Sequence, residues 1–278
     1  MSAVAQIKNV IKRALPKQLV QAIRNEINLA HIPNHPQSVI SDLFSFKISN
    51  GWETHFELLN VSALIDPLHQ INSSYTAKFL FFDELGNQIH ACEKEVKGCS
   101  RQSINLNEVL EGKSVSGYGT FACFHLNFLP HLMDQGAFLA ERGYTGYRNK
   151  AISNMKGYVH GNLDALAMND RGEVICLGKS FRLQKNEYRL QYQLEGPATY
   201  DLGVVNTTRA SEDIRFELIS NKRTFNKEYK KVPSKGVVWF SVELEKGELA
   251  RVVVHSKINL PRPVVFRSGQ NSFDVFHG

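Results

Sequence analysis

The sequence has no uninterrupted apolar run of the roughly 20 residues that a membrane-spanning helix needs, so no transmembrane helix is expected. It has only four cysteines, Cys92, Cys99, Cys123 and Cys176, with no C-x-x-C pair and no histidine at finger spacing. That excludes the common structural zinc modules. Cys123 and Cys176 fall in apolar, strand-like runs, where a reduced thiol acts as a small hydrophobe. Gly117-Tyr-Gly119 is not followed by G-K-[ST], so it makes no nucleotide-phosphate loop. No serine or cysteine stands in a nucleophile-elbow or papain-like setting. Charged residues interrupt the apolar positions after Met1, so no secretory core is expected. The compartment these features imply is the cytoplasm.

Net charge is scarce over most of the chain. Lys8, Lys12, Arg13, Lys17 and Arg24 against Glu26 give residues 1–30 a charge of +4 out of the total of +6, leaving +2 for the other 248 residues. Nucleic-acid binders concentrate Lys and Arg on the folded body, so no nucleic-acid partner is expected. The leader itself has helical periodicity over residues 3–15 and again over 17–29. A basic amphipathic helix can dock on an anionic membrane surface, and residues 3–29 are the candidate for peripheral contact. His31-Ile-Pro33-Asn-His35-Pro36 reads as a linker.

What remains is mostly β. Period-two alternation begins at Leu43, and Ser49-Asn50-Gly51 is a turn signal before a strand from Trp52 to Leu59. Further strands are expected at 75–82, 89–96, 101–106, 119–128, 157–168, 173–177 and 188–194, with a helix inserted at about 133–142. The expected organisation is a helical extension and linker over residues 1–41, a β-sandwich unit over 42–162 and a second over 163–278.

Two units are expected because the sequence repeats. Trp52–Asn60 lies over Ala198–Asn206, and Thr76–Asp83 over Asp213–Ser220. Gly119–His125 lies over Leu249–His255, Gly146-Tyr-Arg148 over Val265-Phe-Arg267, and Gly157–Gly161 over Asp274–Gly278. Each half thereby carries His, Arg and His in the same order.

The second half has features of a known family. The strand ending in Val204-Val205-Asn206, the strand Ile214–Ile219, Lys231-Val-Pro233, Val237–Phe240 and Val252-Val-Val-His255 together resemble the sensory-rhodopsin-transducer family of small β-sandwich proteins. The resemblance spans Thr199 to Pro263. It implies a sandwich fold and a protein that acts by binding rather than by catalysis.

Three sets of residues are candidates for function. His125, His160, His255 and His277 are potential ligands for a divalent metal, since imidazole suits Zn²⁺, Fe²⁺, Ni²⁺ and Cu²⁺. Each half offers only two, against the three or four that a metal site uses. Arg148 and Arg267, each after an aromatic residue, offer the planar fork that suits carboxylate or phosphate. Tyr144, Tyr147 and Tyr158 offer flat apolar faces of the kind that sugar rings pack on. The leading expectation is noncatalytic binding of a carbohydrate or an anionic small molecule around Arg148, His160, Arg267 and His277. The alternatives are a metal-dependent enzyme using histidines of one unit and a membrane-peripheral scaffold.

Overall fold

The computed structural model describes residues 39–59, 74–97, 101–126, 143–169, 171–180, 186–259 and 261–278. The expected leader helices and the inserted helix at 133–142 lie outside these residues. By its internal contacts Gln37–Gly278 forms one unit, and the fold is mainly β.

The first strands are β1 (Val39–Lys47), β2 (Trp52–Leu59), β3 (Ser74–Asp83), β4 (Gln88–Lys97) and β5 (Arg101–Asn105). A one-turn helix α1 (Leu106–Val109) follows, then β6 (Tyr118–Leu126), β7 (Tyr144–Asn149), β8 (Gly157–Val159), β9 (Asn162–Met168) and β10 (Val174–Cys176). The rest of the chain gives β11 (Asn186–Arg189), β12 (Leu194–Glu195), β13 (Ala198–Val205), β14 (Glu212–Ser220) and β15 (Thr224–Val232), then β16 (Val237–Leu244), β17 (Leu249–Ser256), β18 (Val264–Ser268) and β19 (Phe273–His277).

These strands make four antiparallel sheets. Their orders are β10-β9-β1-β6-β3-β4, β5-β2-β7-β8, β11-β17-β14-β15 with β12 beside β17, and β16-β13-β18-β19. Counted along the chain, β5-β2-β7-β8 and β16-β13-β18-β19 follow one pattern, and β6-β3-β4 and β17-β14-β15 follow another.

Alternation places the side chains. On β2, Trp52, Thr54, Phe56 and Leu58 are all buried, while Glu53, His55 and Glu57 point the other way because successive strand residues face opposite sides. Phe56 and Leu58 meet Phe44, Phe79, Phe81 and Phe121 in a core between the six-stranded sheet and the β2 sheet. Phe56 sits edge-on to Phe44 at 4.8 Å and to Phe121 at 5.1 Å. Phe79-Leu-Phe-Phe82 is apolar throughout because β3 is buried on both sides. Phe79 and Phe81 enter the core just described, and Leu80 and Phe82 join Val205 and Val237 in another. A strand covered on both faces gives up alternation for a continuous apolar run.

A third core lies between the β14 and β13 sheets, with Phe216 stacked on Phe240 at 4.8 Å. A fourth joins the two four-stranded sheets through Trp52, Tyr147 and Val159 against Val264, Phe266 and Val275. The sheets therefore share cores that draw residues from both sides of residue 162. The strand expected over 157–168 is in fact two, broken at His160-Gly161, and β9 crosses to pair with β1. Gly161 permits the crossing, since a Cβ there would sit 2.7 Å from the Cβ of Asp42 and 2.8 Å from the ring of Phe44.

Candidate functional site

The β5-β2-β7-β8 sheet turns one face to its cores and the other outward. The outward face gathers Glu53, His55 and Glu57 from β2, Arg101 and Ser103 from β5, Tyr144 and Arg148 from β7, and Tyr158 from β8. Register makes them neighbours: Glu53 is opposite Arg148, and Glu57 is opposite both Ser103 and Tyr144. Like the diagonal pairs around them, these are contacts that sheet pairing creates between residues far apart in sequence.

Two carboxylates organise the face. Glu53 accepts a hydrogen bond from Arg148 Nε at 2.9 Å and closer contacts from Arg148 Nη2 and Lys150 Nζ. Burial alone would raise the Glu53 pKa, but the bonds from Lys150 and Arg148 and their charges outweigh it and hold the pKa at about 2. Glu57, almost fully buried, accepts from Arg101 Nε and Ser103 Oγ at 3.0 Å each and from the Tyr158 hydroxyl at 3.4 Å. Between them stands His55, whose Nε2 is buried without a hydrogen-bond partner and lies 3.6 Å from Glu53 Oε2. Burial and the nearby charge of Lys156 push its pKa down, against an opposing pull from Glu53.

The aromatic part of the face is Tyr158. Its ring packs on Gly146, where a Cβ would come within 2.5 Å of Cε1. The guanidinium of Arg101 is 5.7 Å from the ring centre, in cation–π range, and Tyr158 is still 41% exposed. Beside it, the rings of Tyr144 and His160 are 4.5 Å apart.

Arg148, Tyr144, Tyr158 and His160 are thus brought together. Tyr147 is not. It lies on the opposite face, fully buried, and its hydroxyl donates to Ser45 O at 2.7 Å. Burial pushes its phenol pKa well up, so it acts as a pin between β7 and β1. Period two requires this, because residues 144 and 147 differ by an odd number.

Arg267 is not the counterpart of Arg148. Register sets Tyr147 against Thr54 and Arg267 against Tyr200. The alignment of the two halves lays Thr54 over Tyr200, so on that alignment register puts Arg267 in the place of Tyr147. It donates through Nε to the Tyr200 hydroxyl at 3.2 Å. His125 and His255 are also one residue out of step. Phe79 pairs with Cys123, and Phe216 with Val254, which matches His125 to Ser256 and His255 to Phe124. A one-residue slip reverses the face. His125 therefore lies inward with Nδ1 2.9 Å from the Tyr75 hydroxyl, while His255 lies on the other side with Nε2 2.8 Å from Glu217 Oε2.

His160 and His277 do correspond, and they touch: His277 Nε2 donates to His160 O at 2.6 Å. Burial first, and then the charge of Arg262, lower the His277 pKa to about 4. That histidine joins β19 to the end of β8 through the main chain. Among the described residues no three His, Cys, Asp or Glu side chains come together as a metal site, and the four candidate histidines are not gathered into one set. Among the described residues no helix is long and apolar enough to cross a membrane.

Glu53, His55, Glu57 and Arg101 were not singled out from the sequence. The signal was present for three of them, since alternation from Trp52 places residues 53, 55 and 57 on one side. Arg101 is brought in by pairing alone.

No protein-family model matches the chain, and no curated protein matches it. A solved structure that does match is titled "The structure of a beta-glucuronidase from glycoside hydrolase family 2". It is 10% identical over 84% of this chain, with a TM-score of 0.15. The match covers 23% of that protein, under a quarter of its length. At that score the likeness carries no argument about fold or activity.

Proposed function

We propose that the protein is a noncatalytic binding protein whose outward β5-β2-β7-β8 face takes a carbohydrate, and that its body is a duplicated β-sandwich unit in which only the first copy carries this face. The observation behind it is the Tyr158 ring, packed on Gly146 and 41% exposed within a border of charged groups. A sugar ring presents C–H groups to an aromatic face and hydroxyls to its surroundings. Arg101, Ser103 and Arg148 supply donors there, and Glu57 and Glu53 supply acceptors, each already oriented by a partner. A pre-oriented polar border lowers the entropic cost of binding.

The repeated strand orders support duplication. Register matches Tyr158 with Val275 and Gly146 with Phe266, and both of those second-copy residues are buried in the core that joins the sheets. The second copy has spent this face on packing, which supports confining the binding role to the first. The sensory-rhodopsin-transducer resemblance of residues 199–263 is in keeping with action by binding.

A glycan array probed with the full chain, its Tyr158→Ala variant and its Arg101→Ala variant tests the reading. Hits that weaken about fivefold in Tyr158→Ala are expected, since aromatic contacts of this kind are each worth about 1 kcal/mol. An array with no hit that depends on Tyr158 would overturn it.

A further inference from the structure

We propose that the carbohydrate of the β5-β2-β7-β8 face is an acidic one, and that its carboxylate or sulfate ester seats at one end of the face, against Arg148 and Lys156. The inference rests on the binding role proposed for that face and names the class of sugar it takes.

Register orders the outward side chains in rows. Across β2 and β7, Glu53 is opposite Arg148, His55 opposite Gly146 and Glu57 opposite Tyr144. Across β7 and β8, Tyr147 is opposite Gly157 and Gly146 opposite Tyr158. Lys156 comes directly before Gly157. Continuing the register by one residue sets it beside Arg148, and alternation puts it on the side of Tyr158. One row therefore reads Glu53, Arg148, Lys156. The next reads His55, Gly146, Tyr158, and the third begins Glu57, Tyr144.

The rows differ in charge. In the third, Glu57 is matched by Arg101. In the first, Arg148 and Lys150 share the single carboxylate of Glu53. Lys156 is half-buried and has no ion pair or hydrogen bond among the described residues. Three cations against one carboxylate leave that end of the face positive. His55, in the middle row, registers this field. After burial, the charge of Lys156 is the next cause that pushes its pKa down, and Arg148 adds to it against the pull of Glu53.

Donors remain for an anion. Arg148 spends Nε and Nη2 on Glu53, which leaves the N–H groups of Nη1, and the Lys156 ammonium has three more. A guanidinium beside an ammonium suits the oxygens of a carboxylate or sulfate through charge-assisted bonds. The spacing fits as well. Positions two apart on a strand are separated by about 6.6 Å, so a sugar ring beside Tyr158 directs an acidic substituent toward Lys156, and the long lysine side chain spans the rest. A neutral sugar would leave the excess charge unmatched.

The test is a glycan array in which each acidic glycan, uronate or sulfate ester, stands beside its neutral parent. It is probed with the full chain, Lys156→Gln, Lys156→Arg and Tyr158→Ala, and the strongest pair is then followed by calorimetry at low and high salt. The acidic member is expected to bind more tightly, with a preference that shrinks as salt rises. Lys156→Gln should reduce that preference roughly tenfold or more, as expected for a charge-assisted bond, and Lys156→Arg should restore it. Lys156 has no partner to lose, so Lys156→Gln should melt at the temperature of the unaltered chain. Preference for uronates alone assigns a carboxylate, and preference for sulfate esters alone assigns a sulfate. Hits that depend on Tyr158 but bind acidic and neutral members equally, or a preference unchanged in Lys156→Gln, overturn the acidic reading and leave the binding role standing. An array with no hit that depends on Tyr158 overturns both.

Discussion

Tyr158 rests on Gly146, with 2.5 Å between its Cε1 and the point a Cβ on residue 146 would occupy. The ring takes the room that a side chain would fill, and any side chain there must lift it. Gly146→Val is therefore expected to lower affinity for an array-identified glycan by about as much as Tyr158→Ala. Valine suits a strand, so the sheet should persist. Calorimetry on the two variants checks this, and a Gly146→Val protein with unaltered affinity would show that the seating of the ring on Gly146 is irrelevant.

His277 makes stability depend on pH. Its folded pKa of about 4 lies below the ordinary 6.5, so between those values the unfolded chain binds a proton that the folded chain refuses. The stabilisation is fully present above about 6.5 and is lost as pH falls toward 4. His55 and His90 are shifted in the same direction, so they add to the slope. Denaturant titrations across this window should give a shallower dependence for His277→Gln than for the unaltered chain, and an unchanged slope would refute it.

Glu53 acts lower on the scale. Its pKa is depressed from 4.5 to about 2 by Lys150 and Arg148 working against burial. For a depressed carboxylate the stabilisation is present above the unfolded value and lost as pH falls through the folded one. Melting temperatures between pH 4.5 and 2 should fall more steeply for the unaltered chain than for Glu53→Gln. At pH 7 Glu53→Gln should be the less stable protein, because two cations then face a neutral amide.

Lys47 is enclosed by aromatic rings. Its Nζ is 2.8 Å from Asp201 Oδ2 and 4.4 Å from the centre of the Trp52 ring, with Trp239 at 5.2 Å. Removing one member of a poorly solvated pair costs more than replacing it with apolar bulk. Asp201→Asn is expected to cost roughly 2 kcal/mol by leaving the ammonium without its carboxylate. Lys47→Met should cost less, since methionine keeps the contact with the tryptophans. Chemical denaturation of both single variants and the double variant gives the coupling, and additive losses would mean that the pair is not linked.

Much of this was readable from alternation. The strand from Trp52 to Leu59, the turn at Asn50-Gly51 and the inward path of Phe44, Phe46 and Phe56 follow from side chains that switch sides at every residue. The same rule already separates Tyr147 from Tyr144 and Arg148. A likeness between the two halves was visible in the order of their strands and in the similar endings at His160-Gly161 and His277-Gly278. It misled at His125 with His255 and at Arg148 with Arg267, because similar residues lay one position apart and an alignment by likeness drew them into line. In a helix an error of one residue turns a side chain by about 100°, whereas in a strand it reverses the face.

By itself the sequence determined the strand periodicity, the turns and the apolar positions, since these depend on neighbours along the chain. Only the tertiary structure decided that Glu53 holds Arg148, that Glu57 holds Arg101, and that β9 crosses to β1. Those relationships come from hydrogen-bond register and shared cores between segments distant in the chain, and local propensity encodes neither.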